Sequence, residues 1–119
     1  MKYLKSLIMI IFLFNVVFSQ DVILEVDGSN LNYIAIEDIA GFQLSHDGCI
    51  TNASGGDATA NGFVISSSAT TILAFSFTGA VIPAGEGVLL QLDGAPSQDC
   101  IFDLVFSSSG GTNLSVDWA

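Results

Sequence analysis

Basic residues are nearly missing from this chain: of its 119 residues only Lys2 and Lys5 are basic, against 12 Asp and Glu. Residues 20–119 therefore carry a formal charge of −12, from 12 acids and no Lys or Arg. Nucleic-acid binding rests on Lys and Arg neutralising phosphates, so this composition excludes it. An anionic membrane surface is excluded as a partner on the same ground. Within the domain only His46 or an N-terminal amine could form an ion pair. Self-repulsion of this size weakens the compact state at low ionic strength and is screened by salt. A saline, calcium-containing exterior suits such a chain, and a plain soluble acidic surface is an equally good reading.

Histidine and tryptophan occur once each, proline and cysteine twice. One histidine cannot build a zinc site, which takes three or four His, Cys or acidic ligands. A free catalytic thiol needs a basic or helix-terminal setting to lower its pKa, and residues 20–119 hold no Lys or Arg. No Ser-His-Asp arrangement can be argued from a mere abundance of serine. A glycine-rich phosphate loop needs a helix behind it, and no window beyond residue 19 shows a helical stripe.

The long apolar run is N-terminal. "MKYLKSLIMIIFLFNVVFSQ" has Lys2 and Lys5, an apolar stretch from Leu7 to Phe18, and Val17 and Ser19 at the −3 and −1 positions of a cut after Ser19. That is the layout of a secretory signal. The run is too short for a spanning helix, and Asn15 interrupts it. No cysteine stands at the cut to take a lipid. Residues 1–19 are thus expected to be a signal peptide, and residues 20–119 one exported domain at the cell surface or beyond it.

The domain is rich in Gly, Ser, Thr, Val, Ile and Phe, which favour strands and tight turns. "VILEV" (22–26), "LNYIAI" (31–36), "IAGFQLSH" (39–46), "GFVIS" (62–66), "TILAFSFT" (71–78), "GVLLQLD" (87–93), "CIFDLVF" (100–106) and "NLSVDW" (113–118) are short apolar runs divided by Gly, Asp, Asn and Ser clusters. The expected fold is all-β, a sandwich of about eight or nine strands. Alternation puts Leu73, Phe75 and Phe77 on one inward face, Phe102, Leu104 and Phe106 on a second, and Val88, Leu90 and Leu92 on a third. Residues 51–62, "TNASGGDATANG", show no strand pattern and read as a surface loop.

In an exported domain two cysteines read as a disulfide, here Cys49–Cys100. His46 shares parity with Phe42 and Leu44 and is expected inside or at the rim of the sandwich, as a structural histidine. Glu25, Asp27, Glu37, Asp38, Asp47, Asp57, Asp93, Asp99 and Asp103 are scattered over strand ends and loops without EF-hand spacing. No cofactor is expected, and weak Ca²⁺ binding is the most these acids offer. A paired-carboxylate glycosidase lacks the basic and tryptophan groups that would hold sugar. Two sequons, "NAS" (52–54) and "NLS" (113–115), could carry glycans in a host with that machinery. Trp118 is expected to pack at the core or its rim.

Three segments carry a family likeness: "IEDIAGFQLSHDG" (36–48), "GFVISSSATTILAFSFTGAVIPAGEGVLLQLDG" (62–94) and "IFDLVFSSSGGTNLSVDW" (101–118). The pattern resembles the cohesin-like domains of secreted bacterial proteins: a Gly-Phe-Gln strand, a variable loop, a hairpin, a Gly-x-Gly turn into an apolar strand, and a final pair of strands. It departs from them in a shorter N-terminal strand and in the cysteine pair. The resemblance implies a jelly-roll sandwich of about nine strands related to carbohydrate-binding and adhesion modules. It also implies a non-catalytic role in which one sheet face docks a dockerin-like protein. The expected function is a secreted binding or assembly module for a protein or polysaccharide partner, with Gln43, Ser45, Ser76, Thr78, Gln91, Asp93 and Asp103 as candidate contacts opposite the aromatic core. The alternative is a structural subunit of an extracellular fibre or surface layer, pairing with copies of itself.

Overall fold

A computed structural model describes residues 20–119; the expected signal peptide, residues 1–19, lies outside the described residues. The elements are β1 (Val22–Asp27), β2 (Asn30–Ala35), β3 (Gly41–His46), β4 (Ile50–Ser54), a short helix α1 (Gly56–Ala60), β5 (Val64–Ser67), β6 (Thr71–Phe75), β7 (Gly85–Gly94), a 3-10 turn (Gln98–Cys100), β8 (Ile101–Ser107), β9 (Asn113–Leu114) and β10 (Val116–Trp118). They form two five-stranded sheets. Sheet I has the order β10–β1–β2–β7–β4, and sheet II the order β5–β6–β3–β8–β9. All pairings are antiparallel except β1 with β10.

Local sequence explains the turns. Asp27 pairs with Asn30, so the β1–β2 loop is Gly28-Ser29, with Gly28 at φ 63°. Glycine at the first position of a two-residue loop gives the twist that matches the strands. At the far end, the single residue Ser115 carries the chain from β9 in sheet II to β10 in sheet I. Ser115 is tied to the start of β1: the Asp21 amide donates to its Oγ at 2.8 Å, and its own amide donates to Asp21 Oδ2 at 3.0 Å.

The core lies between the sheets. Val22, Leu24, Leu31, Leu90 and Leu92 come from sheet I, and Phe42, Leu44, Ile72, Ala74 and Phe106 from sheet II. Phe42 is the centre of an aromatic stack, 5.0 Å from Phe106 and 6.5 Å from Phe63 between ring centroids. Trp118 packs partly buried against this cluster. Cys49 and Cys100 are joined by a disulfide that ties the start of β4 in sheet I to the start of β8 in sheet II.

Five features differ from the sequence reading. In β6 the buried residues are Ile72 and Ala74, while Leu73 is half exposed and Phe77, beyond the strand end, is 79% exposed. The reason is volume: Ala74 pairs with Phe42, whose ring and its stacking partners already fill that space. In β8, Gln43 pairs with Val105 but Ser45 with Phe102, so Asp103 and Leu104 together face Leu44. This bulge shifts the alternation and turns Phe102 outward, while Ile101 and Phe106 stay buried. A second bulge in β7 leaves Leu89 unpaired between Val88 and Leu90, so Leu89, Leu90 and Leu92 are buried and Val88 faces out. Finally, residues 51–62 are not simply a loop: β4 occupies 50–54 and α1 follows. With the split of 113–118 into β9 and β10, the strand count is ten rather than eight or nine.

Candidate binding faces

The pairing registers fix what each outer face presents. On sheet II, one row across the strands runs Val64, Phe75, Gly41, Ser107, Asn113; the next runs Ser66, Leu73, Gln43, Val105; a third runs Thr71, Ser45, Phe102. Four exposed apolar side chains stand in this grid: Val64, Leu73, Phe102 and Val105. Phe77 adds a ring at the grid's edge, stacked edge-on against Phe75 at 4.9 Å. Gly41, lacking a side chain, opens a depression of about 270 Å³ bordered by Gln43, Leu73, Phe75, Val105 and Ser107. Among the strands of sheet II the only acid is Asp103, on the β8 bulge.

Sheet I is the opposite. Its strands carry Glu25, Asp27, Glu86, Asp93 and Asp117, all exposed. Asp117, Ile23, Ile34 and Glu86 form one row, and Glu25, Asn32 and Val88 the next. Between them lies a trough of about 450 Å³, lined by Ile23, Glu25, Asn32, Ile34, Glu86 and Val88. Asn32 Oδ1 is buried there without a hydrogen-bond partner. An unpaired buried carbonyl costs about 1–3 kcal/mol. The molecule thus has one neutral, partly aromatic face and one acidic face.

These faces separate the seven candidate contacts. Gln43 and Ser45 sit centrally on sheet II, and Asp103 marks the bulge beside them. Gln91 and Asp93 project from β7 on the other side of the sandwich, paired with Ser54 and Asn52. Ser76 and Thr78 lie past the end of β6 and are engaged with each other and the turn: their hydroxyls are 3.1 Å apart, and Ser76 Oγ accepts from the amides of Thr78 and Ala80. Gln43, Ser45 and Asp103 therefore share a surface; the other four do not join it. Leu73, Phe75, Phe102 and Val105 are the outer-face residues that sequence reasoning missed, because it placed Leu73, Phe75 and Phe102 in the core and passed over Val105. The alternation in "VILEVD" and "NLNYIA" would have been enough to put Ile23, Glu25, Asn32 and Ile34 on one outer face.

His46 is 1% exposed at the end of β3, as its parity required. Its Nδ1 accepts from the Gly48 amide at 3.1 Å, which places the ring proton on Nε2. Asp47, Cys49 and Cys100 form the one cluster of three candidate metal-ligating side chains among the described residues, but two of its atoms are the bonded sulfurs of the disulfide. Several carboxylates already serve the fold. Asp38 accepts from the Ala84 amide at 2.9 Å, and Asp57 Oδ2 accepts from the Tyr33 hydroxyl at 2.7 Å. Burial of Tyr33, and then this hydrogen bond and the charge of Asp57, push its phenol above its ordinary pKa of 10.0. Both sequon asparagines are exposed, Asn52 on β4 and Asn113 on β9, which are edge strands of sheets I and II.

Comparison with protein-family models, with curated proteins and with solved structures finds no match to this chain.

Proposed function

We propose that this protein is a secreted, non-catalytic binding or assembly module, a cohesin-like jelly-roll sandwich that engages a protein or glycan at the cell exterior through the outer face of sheet II. The observation that carries the reading is the neutrality of that face. In a domain with 12 acids and no Lys or Arg beyond residue 5, four of the five strands of sheet II hold no acid at all. Apolar side chains left exposed on such a face are typical of interaction surfaces, which are depleted of charge at their centre. Gln43 and Ser45 at its centre supply hydrogen bonds, and Leu73, Phe75, Val105 and Phe102 supply contact area. The two-sheet architecture is compatible with the jelly roll that the cohesin resemblance implies. The disulfide suits an oxidising compartment, and no helix among the described residues is long and apolar enough to cross a membrane.

The test is capture of partners from the secreted fraction of the source organism, together with a glycan array. The protein is compared with Leu73→Asp/Val105→Asp and with a control that places an acid on sheet I, Ser54→Asp. A ligand retained by the protein and the control but lost by the sheet II variant supports the reading. Equal retention by all three sinks it.

A fibre subunit is the second reading, favoured by one observation. The edge strand β5 (Val64–Ser67) is uncharged, free of Lys and Pro, and exposes Val64. Such an edge can pair with another copy. Light scattering in high salt distinguishes the two: concentration-dependent polymers support the fibre, and a monomer at all concentrations supports the module.

A further inference from the structure

We propose that the trough on the outer face of sheet I is a second docking site, opposite the face described above, and that its occupant is a lysine-bearing apolar segment of a protein partner. The chemistry of the lining points to that occupant. Ile23, Ile34 and Val88 form an apolar floor in the middle of the trough, with Asp117 and Glu86 at the two ends of one row and Glu25 beside Asn32 in the other. The buried Asn32 Oδ1 has no donor within the protein. A lysine side chain matches this pattern. Its aliphatic stem lies along apolar surface, and its ammonium offers three donors and no acceptor.

Other occupants fit less well. A divalent cation needs several oxygens around one point. Glu25, Glu86 and Asp117 are spread over three strands and form no cluster of ligand atoms around one point among the described residues. A neutral sugar would leave the three carboxylates without compensation. Anionic ligands are repelled. The volume of about 450 Å³ exceeds one side chain and lies within the range of about 300–1,000 Å³ that holds a small ligand or a short peptide. Nothing within this chain beyond residue 5 could fill the role, since it has no Lys or Arg there. The positive charge must come from a partner.

The probe is acetyl-Val-Lys-Val-amide, titrated into isotope-labelled protein and followed by NMR. The expected result is saturable shifts of the Asn32 side-chain amide and of the Ile23, Ile34 and Val88 methyls. Acetyl-Gly-Lys-Gly-amide and acetyl-Val-Leu-Val-amide, which keep only the charge or only the apolar part, should each bind several-fold more weakly. Glu25→Gln/Glu86→Gln should weaken the lysine probe roughly tenfold. The charge-matched control Glu37→Gln/Asp99→Asn should change it by less than about twofold. Asn32→Val should also weaken binding while leaving thermal stability equal or higher, because it removes the unpaired acceptor. Equal losses in both double variants would show only the general field of an acidic protein and overturn the site, as would shifts without saturation. The sheet II variant Leu73→Asp/Val105→Asp should bind the probe like the unaltered protein, so this site and the neutral face stand or fall separately.

Discussion

Gly56 occupies a position no other residue can take. Its φ is 65°, and a Cβ there would lie 2.3 Å from the Leu89 carbonyl oxygen, at the β7 bulge. Helix α1 can reach sheet I only because that side chain is missing. Gly28 has nearly the same φ, 63°, but nothing within 4 Å of an added Cβ. Replacing Gly28 by Ala should cost about 1 kcal/mol for the left-handed backbone alone. Gly56→Ala adds a clash and should cost about 3 kcal/mol or more in urea unfolding. Equal costs would mean that α1 does not pack there. Tyr33 makes a second prediction at this scale. A phenol whose pKa is raised on folding contributes stability that is fully present below its unfolded value of 10.0 and is lost as pH rises through and beyond it. After a cut at Ser19, Tyr33 is the only tyrosine, so phenolate absorbance reports on it alone. It should stay silent in the folded protein past pH 10 and appear with alkaline unfolding. Asp57→Asn should bring ionisation to lower pH, and a normal titration in the unaltered protein would contradict the buried hydrogen bond.

Element by element, the bulges in β7 and β8 decide which side chains face outward. Asp103 has φ 53°, a left-handed conformation that Asp tolerates and a β-branched residue does not. Asp103→Gly should leave stability within about 1 kcal/mol, whereas Asp103→Val should lower it by about 2 kcal/mol, despite valine's preference for strands. A regular β8 would give the reverse order, and chemical denaturation reads it directly. The same bulge marks how far the sequence was legible. Turn clusters and short apolar runs were enough for the β-sandwich, for buried Phe42, Leu44 and His46, and for the Cys49–Cys100 pair. Alternation alone could not show Phe102 and Val88 facing out, because one unpaired residue inverts parity and leaves no mark in composition. Leu73 and Phe75 were misread for another reason: hydrophobic side chains stood on both faces of β6, and only the filled space around Phe42 decides which face is inside. Sheet II's outer face, the candidate site, was therefore half visible, through Gln43 and Ser45 but not through the apolar residues around them.

For the whole molecule, two long-range terms act on stability in opposite directions. The disulfide closes 51 residues and links the two sheets, which by loop entropy is worth about 4 kcal/mol. Cys49→Ala/Cys100→Ala should lose about that much in denaturant unfolding. Charge acts the other way. Glu25, Asp27, Glu86, Asp93 and Asp117 crowd one face with no cation among residues 20–119 except at His46 or an amino terminus. Screening lengths fall from about 30 Å at 0.01 M to about 10 Å at 0.1 M salt, so most of this repulsion should vanish over that range. The midpoint of thermal unfolding should therefore climb by several degrees with NaCl and then level off. Glu25→Gln/Glu86→Gln should raise the low-salt midpoint and flatten the climb, since it removes two of the five charges. CaCl₂ at matched ionic strength should follow the NaCl curve if screening is the whole effect. A further rise specific to calcium would instead require a bound ion.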